Sequence, residues 1–144
     1  MGLLAFSRYQ PVPAADLPLA TRKFIGRYIR SVEELEILLL VSKSTETIWS
    51  VRAVYDVVMS TLQSVGGWLD ELAAQGFLEK LSGPAGYRYR AEEELRGEVA
   101  VLEQYYKTMP VRVIEAIYKR DTDAAQSFAD AFKFKKTDTP PPPP

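Results

Sequence analysis

The chain has 144 residues, 47% of them hydrophobic, with 18 basic and 19 acidic side chains and neither cysteine nor histidine. That length suits one domain with appendages, and that apolar share is enough to bury a single core. The missing cysteine excludes disulfides, thiolate zinc sites and thiol nucleophiles, and the missing histidine removes the usual general base and the commonest transition-metal ligand.

No apolar run approaches the roughly 20 residues of a membrane span. The start Met1-Gly2-Leu3-Leu4-Ala5-Phe6 lacks a basic n-region and a long h-region, and Phe6 stands where a myristoylation motif places Ser or Thr. A soluble cytoplasmic protein with no membrane partner is expected. Charge is balanced in total but uneven along the chain. Residues 1–30 carry five cations and one carboxylate, a net +4, whereas residues 31–90 carry five cations and eight carboxylates, a net −3.

Residues 1–20 hold Pro11, Pro13 and Pro18 and predict an extended arm. From Thr21 a short basic helix follows, with Phe24, Ile25, Tyr28 and Ile29 at helical spacing. It reads either as a packing arm or as a phosphate contact. Ser31 and Glu34 form a capping box that opens a first body helix reaching about Lys43 and burying Leu35, Leu38 and Leu39. Thr47-Ile48-Trp49 is a short strand-like step, and Ser50 caps a second helix from Val51 to about Val58. Ser60 with Gln63 repeats the capping-box pattern for a third helix. Its inward stripe is Leu62, Val65, Leu69, Leu72 and Ala73, and it ends at Gly76, a left-handed C-cap. Trp68 reads as a buried anchor or as an exposed aromatic for a protein partner. The Gly66-Gly67 pair weakens that helix or lets something pack closely on it.

The run from Phe77 to Arg90 predicts a hairpin. Alternation in Tyr87-Arg88-Tyr89-Arg90 puts the tyrosines on one face and the arginines on the other, with Ser82 to Gly86 as the tip. Lys80, Arg88 and Arg90 supply the charge for a phosphate backbone.

Helix, strand, helix, helix and hairpin is the order of a winged helix-turn-helix. The chain resembles the winged helix-turn-helix regulators of bacteria, including the MarR-type repressors, over roughly Arg30 to Arg90 and loosely beyond. The resemblance is carried most by Leu69-Asp70-Glu71-Leu72-Ala73-Ala74-Gln75-Gly76-Phe77-Leu78-Glu79-Lys80 and by Tyr87-Arg88-Tyr89. No Asp-x-Arg stands in the wing. The resemblance implies a mostly α fold with a small β-hairpin wing, extra C-terminal helices, and a DNA-binding transcriptional regulator. In that superfamily the exposed N-terminal half of the third helix enters the major groove, which falls here on Thr61, Gln63, Ser64, Gly67 and Trp68. Gln63 suits a bidentate contact to adenine and Thr61 or Ser64 a phosphate or base edge, although the third helix holds no Arg or Lys.

Beyond the wing, Leu95, Val99, Leu102, Tyr106 and Met109 follow a 4-3-4-3 spacing, a seam for another helix. It is expected to close a homodimer, as the resemblance implies for appended helices, or to pack within the chain on the first body helix. Pro110 interrupts this helix. Val111, Val113, Ile114, Ile117 and Tyr118 then form another apolar segment, and Thr122 or Asp123 caps a last helix with Phe128, Ala131 and Phe132. A basic patch from Lys133 to Lys136 and the prolines from Pro140 end the chain as a mobile tail. The expected division is an arm and basic helix over 1–30, the winged-helix domain over 31–90, packing or dimerisation helices over 91–134, and the tail over 135–144.

Catalysis finds little footing. Glu92-Glu93-Glu94 marks a solvated helix start rather than a hard-cation site, and no phosphate-cradling glycine motif occurs. The expected protein is not an enzyme, uses no cofactor or metal, and pairs with double-stranded DNA and a second copy of itself. The alternative is an adaptor of the same fold that binds a protein and no DNA. The acidic body and cation-free third helix favour the adaptor; the Arg88/Arg90 face and small wing tip favour DNA.

Overall fold

Three of the described helices start on a side-chain oxygen that takes a backbone donor the first turn leaves unpaired. The computed structural model describes residues 16–82 and 86–119. Helix α1 spans Leu19–Tyr28, two residues earlier than Thr21. Helix α2 spans Val32–Val41, and its cap Ser31 accepts from the Glu34 N–H at 3.0 Å. The carboxylate of Glu34 reaches one residue further back than a capping box requires, accepting from the Arg30 N–H at 2.7 Å. Strand β1 is Ile48–Trp49, and Ser50 caps α3, Val51–Val58. Helix α4 spans Leu62–Ala74, and its cap is Thr61 rather than Ser60: the Thr61 hydroxyl accepts from the Ser64 N–H at 3.0 Å.

The end of α4 turns the chain into the wing. Gly76 has φ +93°, the left-handed conformation expected there. The Gly76 N–H donates to the Ala73 carbonyl at 3.2 Å and the Phe77 N–H to the Leu72 carbonyl at 3.0 Å, the paired bonds of a Schellman motif. Strand β2, Leu78–Lys80, then pairs antiparallel with β3, Tyr87–Tyr89, in the register Leu78 to Tyr89, Glu79 to Arg88 and Lys80 to Tyr87. Strand β1 joins the other edge of β3, so the sheet order is β1-β3-β2. Tyr87 and Tyr89 are buried and the arginines lie on the other face, as their alternation predicts. Helix α5 spans Glu93–Thr108. Pro110 opens a further helix, α6, over 110–119, whose first donors, the N–H groups of Arg112 and Val113, bond the Met109 carbonyl. The architecture is mostly α with a small three-stranded antiparallel sheet, a winged helix-turn-helix with added helices.

One core joins the described helices. Ile25 of α1, Leu35 and Leu38 of α2, Val65, Leu69 and Leu72 of α4, Leu102 of α5, and Val113 and Ile117 of α6 are inaccessible to solvent. The basic helix α1 is therefore a packing element: Phe24 and Tyr28 meet Phe77 edge-on at 6.0 and 5.2 Å. One expectation is corrected. Leu62 lies on the inward stripe but at the first helical position, beyond the elements packed under α4, and is 45% exposed. On α6, Val113 and Ile117 are buried and Ala116 packs partly against the core, while Val111 and Tyr118 face outward. The arm over 1–15, the wing-tip residues 83–85, the expected last helix, the basic patch and the proline tail lie outside the described residues.

Two glycines give opposite expectations for one substitution. A Cβ on Gly86 would stand 2.7 Å from both the Ile48 Cγ2 and the Trp49 carbonyl oxygen, whereas a Cβ on Gly67 would meet nothing within 4 Å. Gly86→Ala is expected to lower stability by about 1–3 kcal/mol through the forced shift of β1, and Gly67→Ala to raise it by about 1 kcal/mol through helix propensity. Urea unfolding of the two variants checks both signs.

Candidate nucleic-acid interface

Helical periodicity puts Gln63, Gly67, Asp70 and Ala74 on one face of α4, and all four are exposed. The wing is tied to that face. Lys80 on β2 reaches Asp70 at 2.9 Å, and the Tyr87 hydroxyl on β3 donates to the same carboxylate oxygen at 2.5 Å. Lys80 also stands over the Tyr87 ring, 5.7 Å from its centroid. The Tyr87 hydroxyl first, and Lys80 second, hold the Asp70 carboxyl below its ordinary value of 3.8. Asp70 in turn raises Lys80, and Tyr87 rises through burial and then through Asp70.

The two wing arginines share one carboxylate. Glu79 lies directly opposite Arg88 in the antiparallel register, where cross-strand partners meet best. It accepts from Arg88 at 2.9 Å and stands 3.7 Å from Arg90. The Arg88 hydrogen bond pulls the Glu79 carboxyl below its ordinary value. The Nε of Arg88 is buried without a hydrogen-bond partner. On the opposite side of the sheet, burial pushes the Tyr89 hydroxyl up to about 12.

The expected readers on α4 divide into one available group and two engaged ones. Thr61 spends its oxygen on the helix cap. Ser64 donates to Glu33 at 2.9 Å, and Ser60 donates to the same carboxylate at 2.5 Å. Gln63 is exposed at the start of α4 and its amide reaches no partner among the described residues. Trp68 is half-buried against the core and lines, with Arg30, Ser64, Gly67 and Glu71, a shallow cleft of about 340 Å³. Arg30 and Glu71 stand 3.5 Å apart across it.

Three carboxylates, Glu33, Asp70 and Glu79, thus organise the face that sequence reasoning assigned to cations and hydroxyls. Their excess over cations in the body is visible in the sequence. Their partners are not, because Ser60 and Ser64 are 27 and 31 residues from Glu33 along the chain. The helix-turn-helix corner is also more apolar than expected. Val57, Met59 and Leu62 are 58%, 69% and 45% exposed there, and Met59 holds a left-handed φ of 60°.

The seam on α5 is placed mainly inside the chain. Val99 and Leu102 are 2% and 0% exposed in the single chain, so neither has surface left for a second copy, which corrects the expected subunit seam at those two positions. Leu95, Tyr106 and Met109 are partly buried against the same core, and the Tyr106 hydroxyl donates to Glu36 of α2 at 3.2 Å. Among the described residues, no group of three or more acidic side chains is placed to hold a metal ion, and no helix is long and apolar enough to cross a membrane.

No family model matches the chain, and no curated protein matches it. Among solved structures it is similar to MepR, a transcription regulator of the Staphylococcus aureus multidrug efflux pump MepA, with 10% identity over 94% of this chain and 96% of that one and a TM-score of 0.47. A likeness that distant carries no argument about site or function.

The Asp70 contacts set an acid dependence of stability. A carboxyl whose pKa is depressed by folding stabilises the fold above its unfolded value, and that stabilisation is lost as pH falls through the folded one. Asp70→Asn is therefore expected to lower the melting temperature at pH 7, and the gap to wild type is expected to narrow from the ordinary value of 3.8 and to close as pH falls further. Thermal unfolding of both proteins across that window tests it; a gap that persists unchanged in acid would assign the effect to packing.

Proposed function

We propose that the chain is a DNA-binding transcription regulator of winged-helix type, cytoplasmic and homodimeric, with the N-terminal half of α4 as the reading element and the wing as the phosphate contact. One observation carries this reading: the Lys80–Asp70 pair brings the wing onto the same exposed face of α4 as Gln63 and Gly67. A helix face and a hairpin held side by side suit a major groove and its flanking phosphate strand. Gln63 is the base reader, since a free amide makes paired bonds to adenine. Lys80, Arg88 and Arg90 are the phosphate contacts. Thr61, Ser64 and Gly67 set the backbone that approaches the groove.

Selection from a randomised duplex pool, followed by anisotropy titration at two salt concentrations, tests the reading. Gln63→Ala is expected to relax preference at one base pair by roughly 1–3 kcal/mol. Joint Arg88→Ala and Arg90→Ala replacement is expected to weaken binding to every sequence and to flatten the salt dependence by about one unit per lost phosphate contact. A folded wild-type protein that retains no duplex at about 50 mM salt, where phosphate attraction is strong, would end the DNA reading.

The dimer is proposed through the outward sides of α5 and α6, where Val101 and Val111 are 47% and 63% exposed. Sedimentation is expected to show Val101→Asp as a folded monomer and Leu102→Asp as an unfolded chain. Loss of folding in both would move α5 wholly into the monomer core.

A second reading, the protein-binding adaptor, is favoured by the apolar corner of Val57, Met59 and Leu62. A left-handed backbone costs a non-glycine residue about 1–2 kcal/mol, and Met59 keeps that conformation with its side chain in solvent. A protein partner uses such a side chain; a phosphate does not.

A further inference from the structure

Every cation on the described wing is already matched by a carboxylate of the same chain. Lys80 is held by Asp70 and Arg88 by Glu79, both at 2.9 Å, and Arg90 stands 3.7 Å from Glu79. The first two distances are those of charge-assisted bonds to a phosphate oxygen. We propose that Asp70 and Glu79 stand in for DNA phosphates on the free protein and limit the phosphate-driven part of its affinity, so that a duplex without a base contact to α4 is not retained. This deepens, and rests on, the DNA-binding reading.

The argument follows from where non-specific affinity arises. A lysine or arginine gains by docking on a phosphate because counterions leave the DNA. A cation already neutralised in its own chain gains less, since its carboxylate must first be displaced. The displaced carboxylate then stays within a Debye length of about 10 Å of the phosphate and repels it. Both effects act on any duplex alike. A base contact from Gln63 is untouched by them, so the ratio of specific to non-specific binding stays the same while both affinities fall, and a duplex held by phosphates alone is the first to lose retention.

The pairs are built to be exchanged. The side chains of Lys80, Asp70, Arg90 and Glu79 are all about half exposed, and pairs in that setting shift an equilibrium by no more than about fivefold each. Arg88 is the more enclosed partner, yet its Nε donor is buried without a partner, and a donor left unmet favours a change of acceptor. The placement is also specific: Glu79 sits opposite Arg88 in the register and diagonal to Arg90, so one carboxylate restrains both arginines.

Glu79→Gln tests the idea, because it keeps shape and removes only the charge. Glu115→Gln serves as control, since it removes the same charge and breaks an exposed pair with Arg112 on α6, away from the wing. Each full-length protein is titrated with a short random-sequence duplex at low and moderate salt, with circular dichroism confirming the fold. Glu79→Gln is expected to bind roughly three- to tenfold tighter than wild type, the range for freeing two exposed pairs, with a salt slope steeper by about one unit per added phosphate contact. Glu115→Gln is expected to match wild type. Equal affinities in all three proteins, or equal gains in both variants, would overturn the proposal while leaving the DNA reading intact. Binding of the random-sequence duplex by Glu79→Gln but not by wild type, with wild type still retaining duplexes selected from the randomised pool, would support the proposal in its strongest form. Failure of wild type, Glu79→Gln and the Asp70→Asn/Glu79→Gln double variant to bind at low salt would remove the DNA reading, and the proposal with it.

Discussion

Phe77 is the residue on which the arrangement of helix and wing depends. Its N–H closes the Schellman turn on Leu72, its carbonyl accepts from the Arg90 N–H at 3.0 Å, and its ring is buried against Phe24 and Tyr28. The first bond ends α4, the second brings the far strand of the hairpin back beside it, and the third fixes both to α1. Burying a phenylalanine side chain stabilises a fold by about 1.5–3 kcal/mol, and the two edge-on ring contacts add about 0.5–1.5 kcal/mol each. The left-handed Gly76 just before it makes the turn sterically cheap. Because all three contacts converge on one residue, the angle between α4 and the wing is set by the core, and Lys80 meets Asp70 as a consequence.

That geometry gives the exposed face an unusual electrostatic character. A helix with no cation lies beside a wing whose three cations share two carboxylates, so the surface is polar and nearly neutral rather than positive. Neutral faces associate slowly and without long-range steering. A partner is therefore selected at contact range, by hydrogen bonds and shape, whichever class of macromolecule it belongs to. The choice between duplex and protein then turns on the N-terminal end of α4: Gln63 offers a base reader, and Leu62 beside it, with Met59 before the cap, offers an apolar knob.

The helix starts, the strand step and the C-cap were legible in the sequence because each is a local event. Ser31, Ser50 and Gly76 act on backbone groups within a few residues, and the tyrosine alternation in β3 reports burial through a two-residue period. The cap of α4 was misread by one position because Ser60 and Thr61 both suit the role, and what separates them is distant: Glu33, across the turn, engages the Ser60 hydroxyl. The buried seam of α5 shows the same limit. Spacing reveals that Val99 and Leu102 face something apolar but not whether it belongs to the same chain. Candidate cations at Lys80, Arg88 and Arg90 were legible as residue types; their neutralisation was not, since it needs the register and the position of Asp70 across the helix–wing corner.

Glycine usage separates the structural from the available surface more sharply than charge does. Gly86 looks like a flexible wing residue suited to approaching a phosphate, yet its missing side chain is filled by the Trp49 carbonyl and the Ile48 methyl, so its smallness serves the join of β1 to β3. Gly67 has open space where a Cβ would stand, lies on the Gln63 face, and costs its helix about 1 kcal/mol relative to alanine. A glycine with open space in a helix interior lets a neighbouring surface come close to the backbone. The position of Gly67, one turn beyond Gln63 and one before Asp70, puts that approach at the middle of α4, between its reading group and the carboxylate that holds the wing.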